Sequence, residues 1–191
     1  MLILASQSPR RRELLARLGL PFTVRAADVD ETMDQDVPPE EEVARLSARK
    51  AAAAAAGPGD VVVAADTVVV LDHRVLGKPR DAAEARAMLT ALSGRSHQVM
   101  TGLTVRRGGE IQTETAVTQV RFRPLSSGEI DAYVATGEPM DKAGAYGIQG
   151  LAAVFADRLD GDYYNVMGLP LCALCRMLRR AGLPVLGETA N

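Results

Sequence analysis

The stretch Val61-Val-Val-Ala-Ala-Asp-Thr-Val-Val-Val-Leu71 decides the fold of this chain. Its valines are β-branched and favour an extended backbone, so the stretch predicts a strand. Every position is apolar except Asp66 and Thr67. Because the side chains of a strand alternate between the two faces of a sheet, neither face of this strand offers water to a carboxylate unless the strand opens into a cleft. Asp66 is therefore the position that a purely structural account leaves unexplained.

Helical and extended patterns alternate on both sides of this strand. Before it, we predict strands at residues 2–5 and 22–26 and helices at 9–18 and 38–56. Ser6, Ser8 and Pro9 form the start of the first helix, with a hydroxyl as its cap. After it, we predict a return strand at 75–76, helices at 81–92 and 126–136, and a long hairpin of 97–107 and 110–123. A glycine-rich loop at 141–150, a strand at 152–159 and a helix at 170–181 follow.

Interleaved strands and helices, together with an antiparallel hairpin, predict an α/β fold with a mixed sheet. The 191 residues suit a single domain over 1–191, folded as one body or as two lobes around a cleft. Hydrophobic residues make up 47% of the chain, but there are only 3 Phe, 4 Tyr and no Trp. We therefore expect a sizeable core built from aliphatic side chains.

Composition also narrows the classes of partner. A net charge of −2 argues against the basic surface that grips nucleic acid without sequence preference. No apolar run approaches the roughly 20 residues that cross a bilayer, and the apolar N-terminal stretch is too short for a signal peptide. We expect a cytoplasmic protein with neither a nucleic-acid nor a membrane partner. The C-x-x-C pair Cys172 and Cys175 lacks the second ligand pair of a structural zinc site, so we expect packed, reduced thiols.

Lysine is rare in this chain. Of its 22 basic residues, 3 are lysines, at positions 50, 78 and 142, and the rest are arginines. A lysine ammonium is a compact point charge that suits phosphate oxygens. So small a sample can also arise by chance, and the bias alone favours a functional interpretation only slightly.

Two cations lie on helix faces that should meet the core. At about 100° per residue, Arg11 points between Leu14 and Leu15, and Lys50 lies in the same way on the apolar face of the second helix. Each side chain can snorkel, its stem packed and its head in water. A pair of such cations, one just inside a serine-capped helix start with free N–H groups, better fits an anion site.

Asp66 completes a metal–phosphate pattern. Burial raises the pKa of a carboxyl group and a bound metal lowers it again, so a carboxylate at this point suits metal or acid–base chemistry. The alternative is a structural Asp that caps a strand end. Glu31, in the acidic loop of residues 28–36, offers a second oxygen ligand. The chain carries neither a P-loop motif nor a Gly-x-Ser-x-Gly motif, and His97 fits a structural histidine better than a catalytic one.

These segments also resemble a known family. The resemblance rests on Leu2-Ile-Leu-Ala-Ser-Gln-Ser-Pro-Arg-Arg11, Ala65-Asp66-Thr67, Gly77-Lys78-Pro79, Leu92-Ser-Gly94, Met140-Asp-Lys-Ala-Gly-Ala-Tyr-Gly-Ile-Gln-Gly150 and Gly168-Leu-Pro170. The chain is thereby identified as a member of the Maf family of nucleotide pyrophosphatases. The resemblance implies an elongated mixed sheet with helices, a deep cleft between two lobes as in inosine triphosphate pyrophosphatases, and a homodimer.

The resemblance also implies roles for nine residues. Asp66 would accept a proton and, with Glu31, hold a divalent metal, Mg²⁺ or Mn²⁺. Phosphate contacts would come from Ser8, Arg11, Lys50 and Lys78, and the base pocket from Arg10, Thr67 and Gln149. Asp66, Glu31, Lys50 and Lys78 are thus the expected catalytic residues, and no role is assigned to Lys142.

The expected reaction cuts a nucleoside triphosphate into the monophosphate and pyrophosphate. Arg10, Thr67 and Gln149 fit the branch that hydrolyses dTTP, UTP and modified pyrimidine nucleotides in a house-cleaning role. A sister branch acting on 7-methyl-GTP carries Trp, Gln and Glu at these positions. The alternatives are a pyrophosphatase of that branch and a non-catalytic nucleotide-binding regulator of cell division or septum formation, which would not need Asp66.

Overall fold

The structure, a computed structural model, describes residues 1–34 and 36–187. Gln35, in the acidic loop, and residues 188–191, at the end of the expected domain, lie outside the described residues. The strands are β1 (Leu2–Leu4), β2 (Phe22–Val24), β3 (Val61–Leu71), β4 (Arg74–Leu76), β5 (Ser96–Arg107), β6 (Glu110–Phe122) and β7 (Ala156–Asp160). The helices are α1 (Pro9–Ala16), α2 (Pro39–Ala53), α3 (Ala82–Leu92), α4 (Ser127–Ala135), α5 (Tyr163–Val166) and α6 (Leu171–Arg180). Short 3₁₀ turns occupy Glu138–Asp141, Ala143–Ala145 and Leu151–Val154.

The strands form one mixed sheet in the order β2-β1-β3-β5-β6-β7, with β4 beside β3. β1 pairs in parallel with both β2 and β3, whereas β3–β4 and β6–β7 are antiparallel. Helices separate the parallel strands in sequence, as a crossover between parallel strands requires. The predicted mixed α/β fold is confirmed.

The chain divides into two compact units. The first comprises Met1–Asp66, Thr101–Ala116 and the chain from Gly168 on, and the second comprises Thr67–Met100 and Val117–Met167. The unit boundary in β3 falls between Asp66 and Thr67. The single domain over 1–191 stays a prediction.

Small residues bring α2 close to the sheet in the first unit. Ala51 and Ala54 form a buried cluster with Ile3 of β1, with Ala5 just after that strand, and with Ala64 of β3. In β5, a Cβ added to Gly102 would lie 2.1 Å from the carbonyl oxygen of Val43. Only glycine therefore fits this contact, which fixes α2 and the side chains that it carries.

The core is mainly aliphatic, as predicted, and the second unit adds a group of aromatic side chains to it. Phe122 lies edge-on to His97 and Tyr146, with ring centroids 4.9 and 4.8 Å apart, and Tyr133 packs in the same way on Phe155 at 5.2 Å. Such edge-to-face pairs stabilise a core beyond the area they bury. The few aromatic residues are concentrated in one unit instead of being spread thinly.

Several predicted boundaries also need correction. α2 ends at Ala53 and not at residue 56, since Arg106 donates to the carbonyl oxygens of Ala51 and Ala54 at 3.0 and 2.8 Å and the backbone turns extended at Ala54. The strand expected at 152–159 begins only at Ala156, because Leu151–Val154 forms a 3₁₀ turn. Helix α5 was not predicted.

The two cysteines differ from expectation in packing. Both thiols are free, as predicted, but Cys172 is exposed and accepts a hydrogen bond from Arg176 at 3.4 Å. Its side chain lies one position off the buried stripe formed by Leu171, Leu174 and Leu178. The packed environment expected for Cys172 is therefore wrong.

Candidate active site

Lys50 lies at the centre of a charged cluster in the first unit. Its Nζ donates to Asp66 Oδ1 at 2.5 Å and lies 2.7 Å from Glu31 Oε1. The side chains of Lys50 and Asp66 are only 11% and 13% exposed, whereas that of Glu31 is 65% exposed. Charges this far out of water are costly unless paired, and here each partner neutralises the other. The apolar-face position predicted for Lys50 is confirmed, because Val43 and Leu46 beside it are buried.

The helix α1 brings Arg11 to the same cluster. Its Nε donates to the carbonyl oxygen of Gly168 at 2.8 Å, and its Nη1 donates to Ser6 Oγ at 3.3 Å. Burial lowers the pKa of Arg11, the charges of Asp66 and Glu31 oppose that shift, and the charge of Arg10 adds to it. Arg10, Glu31 and Asp66 are thus each within electrostatic reach of Arg11.

Ser8 begins the helix that carries both arginines. It is the N-cap, its Oγ accepts from the Arg11 N–H at 3.4 Å, and Pro9 follows at the first helical position. This confirms the predicted capped start. Because proline lacks an N–H, the helix start directs few donors outward, and the arginine side chains supply most of its positive charge.

Two more of the expected residues, Lys78 and Gln149, belong to the second unit. Lys78 is exposed in the loop between β4 and α3, and Gln149 is exposed in the glycine-rich loop. The two loops are tied together, since the Gly144 N–H donates to the carbonyl oxygen of Gly77 at 3.0 Å. Gly144 has φ +68°, and an added Cβ would lie 2.9 Å from Val69, so glycine is required there. Thr67, the next residue after Asp66 in β3, is half-buried.

His97 is a structural residue, as predicted. It is buried, and its Nε2 is 2.8 Å from the Tyr146 hydroxyl. Burial lowers the pKa of His97 to about 4. His97 belongs to the aromatic cluster that Phe122 and Tyr146 form in the second unit.

Comparison with known families identifies the chain. The family described as Maf-like protein matches residues 1–181. The chain belongs to the Maf family.

Several Maf relatives carry the name dTTP/UTP pyrophosphatase. The protein of that name from Symbiobacterium thermophilum is 55% identical over 185 residues, which cover 96% of this chain and 95% of the relative. Those from Anaeromyxobacter dehalogenans strain 2CP-C and Halalkalibacterium halodurans are 54% and 50% identical, cover 96% and 95% of this chain, and are themselves covered to 95% and 96%. The similarity therefore extends over nearly the whole of each protein.

A solved structure shares the fold. The Ham1 protein of Staphylococcus aureus superposes with a TM-score of 0.51 over 94% of this chain and 98% of its own, at 15% identity. At that identity the likeness concerns the fold alone.

The carboxylates of the Maf site fit a small divalent cation. Asp66 and Glu31 offer hard oxygen ligands that already share one cation, the Lys50 ammonium. Among residues 1–34 and 36–187, no group of three or more His, Cys, Asp or Glu is placed to hold a metal ion. One or two carboxylates completed by substrate phosphates are a usual magnesium environment, so this donor set suits Mg²⁺ or Mn²⁺ together with a nucleotide.

Sequence reasoning missed the groups that hold these side chains in place. The Gly168 carbonyl and the Ser6 hydroxyl fix Arg11, and Gly102 fixes the helix that carries Lys50. Gly168 and Ser6 lie in segments that carry the family resemblance, yet no sequence pattern indicated their contacts with Arg11. A backbone acceptor 157 residues away in the chain leaves no local signal.

Proposed function

We propose that this Maf protein hydrolyses dTTP and UTP, and related modified pyrimidine nucleotides, to the nucleoside monophosphate and pyrophosphate. One observation carries the proposal: relatives named dTTP/UTP pyrophosphatase are 50–55% identical over 95% or more of the chain. The charged cluster around Lys50 supports it, because carboxylates and cations in one place suit a metal–triphosphate substrate.

In the proposed reaction Asp66 accepts the proton of a water molecule whose oxygen attacks the α-phosphorus. The bond from that phosphorus to the bridging oxygen breaks, and pyrophosphate leaves. Lys50 and Arg11 supply positive charge to the phosphate oxygens, with Lys78 and the Ser8 hydroxyl as further contacts. Since little covalent chemistry falls to the protein, most of the catalysis is positioning and charge stabilisation.

Asp66 and Glu31 would hold the divalent metal. When bound, Mg²⁺ or Mn²⁺ neutralises phosphate charge and makes a water more acidic. The Lys50 ammonium pairs with both carboxylates in the structure, and its flexible stem would let it contact phosphate oxygens when substrate is bound. Lys50 would thus stabilise the buried Asp66 and the more exposed Glu31 before substrate arrives.

Arg10, Thr67 and Gln149 are the proposed base-reading residues. The exposed amide of Gln149 has both a donor and acceptors, and a pyrimidine base offers both partners on its hydrogen-bonding edge. A Glu in its place would lack the donor. These three side chains would therefore separate pyrimidine nucleotides from 7-methyl-GTP.

We also propose that the protein acts in the cytoplasm as a homodimer. Within the described residues, no helix is long and apolar enough to cross a membrane. Light scattering on the purified chain tests the dimer, and a monomer at micromolar concentration would contradict it.

The deciding experiment is pyrophosphate release from dTTP, UTP, CTP, GTP and 7-methyl-GTP, each with Mg²⁺, with Mn²⁺ and with a chelator. We expect metal-dependent turnover that favours dTTP and UTP. Turnover favouring 7-methyl-GTP would support the proposed reaction but contradict the assignment to the dTTP/UTP branch. Absence of turnover in folded protein would favour the non-catalytic regulator instead.

A further inference from the structure

The residues on both sides of Gln149 are held by a single pair of side chains in the second unit. The Gly147 N–H donates to the Tyr133 hydroxyl at 3.2 Å, and the Leu151 N–H donates to Glu138 Oε2 at 3.1 Å. The Tyr133 hydroxyl in turn donates to Glu138 Oε1 at 2.9 Å. Both oxygens of one carboxylate are therefore committed to fixing the segment 147–151.

The glycines of this segment leave no room for a side chain, and at Gly150 the same carboxylate fills the space. A Cβ added to Gly150 would lie 2.1 Å from Glu138 Oε1, so any other residue would displace the carboxylate. Gly147 is also confined, since an added Cβ would meet Lys142 Cε at 2.9 Å. The Gly150 N–H closes the turn by donating to the Gly147 carbonyl oxygen at 3.0 Å. The glycine pattern thus follows from contact with Glu138 and Lys142.

Glu138 is itself held firmly. Its backbone N–H donates to Thr136 Oγ1 at 3.1 Å, and its carbonyl oxygen accepts from Lys142 Nζ at 3.1 Å. The Tyr133 ring is buried against Phe155. The support extends from helix α4 to the loop, and the Gln149 side chain that the loop carries is exposed. A fixed backbone that presents an exposed amide is the arrangement that a base-reading residue needs.

We propose that Glu138, through Tyr133 and the Leu151 N–H, is a positioning residue that sets the base selectivity exerted by Gln149. This inference rests on the proposed function. Loss of the carboxylate would release the segment 147–151 and leave the Gln149 amide without a fixed direction. Selectivity for the pyrimidine would fall, while the phosphate chemistry in the first unit would continue.

The test compares Glu138→Gln and Tyr133→Phe with the unaltered protein. Each variant keeps the size of the side chain and removes charge or a hydroxyl. We expect each to lower the ratio of kcat/KM for UTP over GTP about tenfold, through a higher KM for UTP with kcat largely kept. Asp157→Asn, an exposed charge deletion in the same unit, is the control and leaves the ratio unchanged.

Double variants separate positioning from general weakening of the fold. Gln149→Ala alone should lower the ratio at least as far as Glu138→Gln does, and adding Glu138→Gln to it should then change the ratio no further. An additive effect, or a folded Glu138→Gln protein with the original ratio, would overturn the inference. If the unaltered protein releases no pyrophosphate from UTP, the proposed function has failed first. If Glu138→Gln does not fold, Tyr133→Phe decides by the same readout.

Discussion

At the scale of single residues, the arrangement around Lys50 has a consequence for the protein without ligand. Two carboxylates close enough to share an ammonium would repel each other without it. The positive charge of Lys50 offsets that repulsion and keeps the two carboxylates in one place. Lys50 looks out of place in the sequence, because it is a cation on an apolar helix face. In the structure it holds the two carboxylates together before a ligand binds.

Asp66→Asn is the variant that tests the proton-accepting role. Asparagine keeps the size of the side chain and an oxygen that can accept from Lys50, but it cannot take a proton from water. We expect turnover of UTP to fall by at least about a hundredfold, with binding largely kept. Turnover is measured by pyrophosphate release, and binding by calorimetry with UTP.

Asp72→Asn is the matched control for this variant, because Asp72 follows the same strand and pairs with Arg95 on the surface. It should keep normal turnover. Near-normal turnover in Asp66→Asn would remove Asp66 from the chemistry and leave it as a structural partner of Lys50.

At the scale of elements, the sequence predicted almost every strand and helix, since hydrophobic periodicity and capping residues are local signals. The helices predicted to begin at residues 81 and 126 are present, with Asp81 and Ser126 as their N-caps, and so is the long hairpin. The wrong boundaries lie where groups distant in the sequence determine the end of a helix or the start of a strand. Arg106 in β5 donates to the carbonyl oxygens at the end of α2. The Leu151 N–H donates to Glu138 and lies in the 3₁₀ turn after which β7 begins. These contacts depend on tertiary structure, which a local sequence pattern does not indicate.

Gly102→Ala tests how closely α2 must lie against β5. The added methyl would meet the Val43 carbonyl at 2.1 Å, so α2 must shift and carry Lys50 away from Asp66. We expect a loss of about 1–3 kcal/mol in the free energy of unfolding, as for an overpacked core, together with a marked fall in kcat. Urea unfolding and pyrophosphate release measure the two effects.

The control is Gly109→Ala in the turn of the β5–β6 hairpin, where an added Cβ has no atom within 4 Å. It should change neither stability nor turnover appreciably. Equal behaviour of the two variants would show that α2 tolerates displacement and that Gly102 does not position Lys50.

At the scale of the whole molecule, the predicted site residues are divided between the two units. The first holds the charged cluster around Lys50, and the second holds Lys78 and Gln149. Rare lysines and misplaced charges drew attention to Arg11, Lys50 and Asp66 in the sequence itself, whereas Gln149 was expected only from the family resemblance. The sequence did not indicate the residues that hold the site residues in place, such as Gly168, which binds Arg11, or Glu138, which fixes the segment of Gln149. A backbone carbonyl leaves no sequence signal, and a single glutamate does not stand out.

The stability of the whole molecule should depend on pH through His97. Its pKa is about 4 in the folded chain against 6.5 for an ordinary histidine, because burial disfavours the charged ring. Its Nδ1 is buried without a hydrogen-bond partner within the described part of the chain, so protonation would add an unsatisfied donor. Between these two values the unfolded chain binds more protons than the folded chain. Stability is therefore fully present above pH 6.5 and is lost as the pH falls towards 4.

We expect the free energy of unfolding to drop by about 2 kcal/mol between pH 7 and pH 5, measured by urea denaturation. Glu129, whose pKa is lowered to about 2 by its bonds to Arg123 and Ser126, loses its contribution only below its ordinary value of 4.5, so it does not obscure this window. His97→Gln should be less stable at pH 7 but show a much flatter profile down to pH 5. His73→Gln, at an exposed turn, should follow the unaltered protein. A profile just as steep in His97→Gln would mean that another group, and not the aromatic cluster around His97, controls the acid sensitivity of the fold.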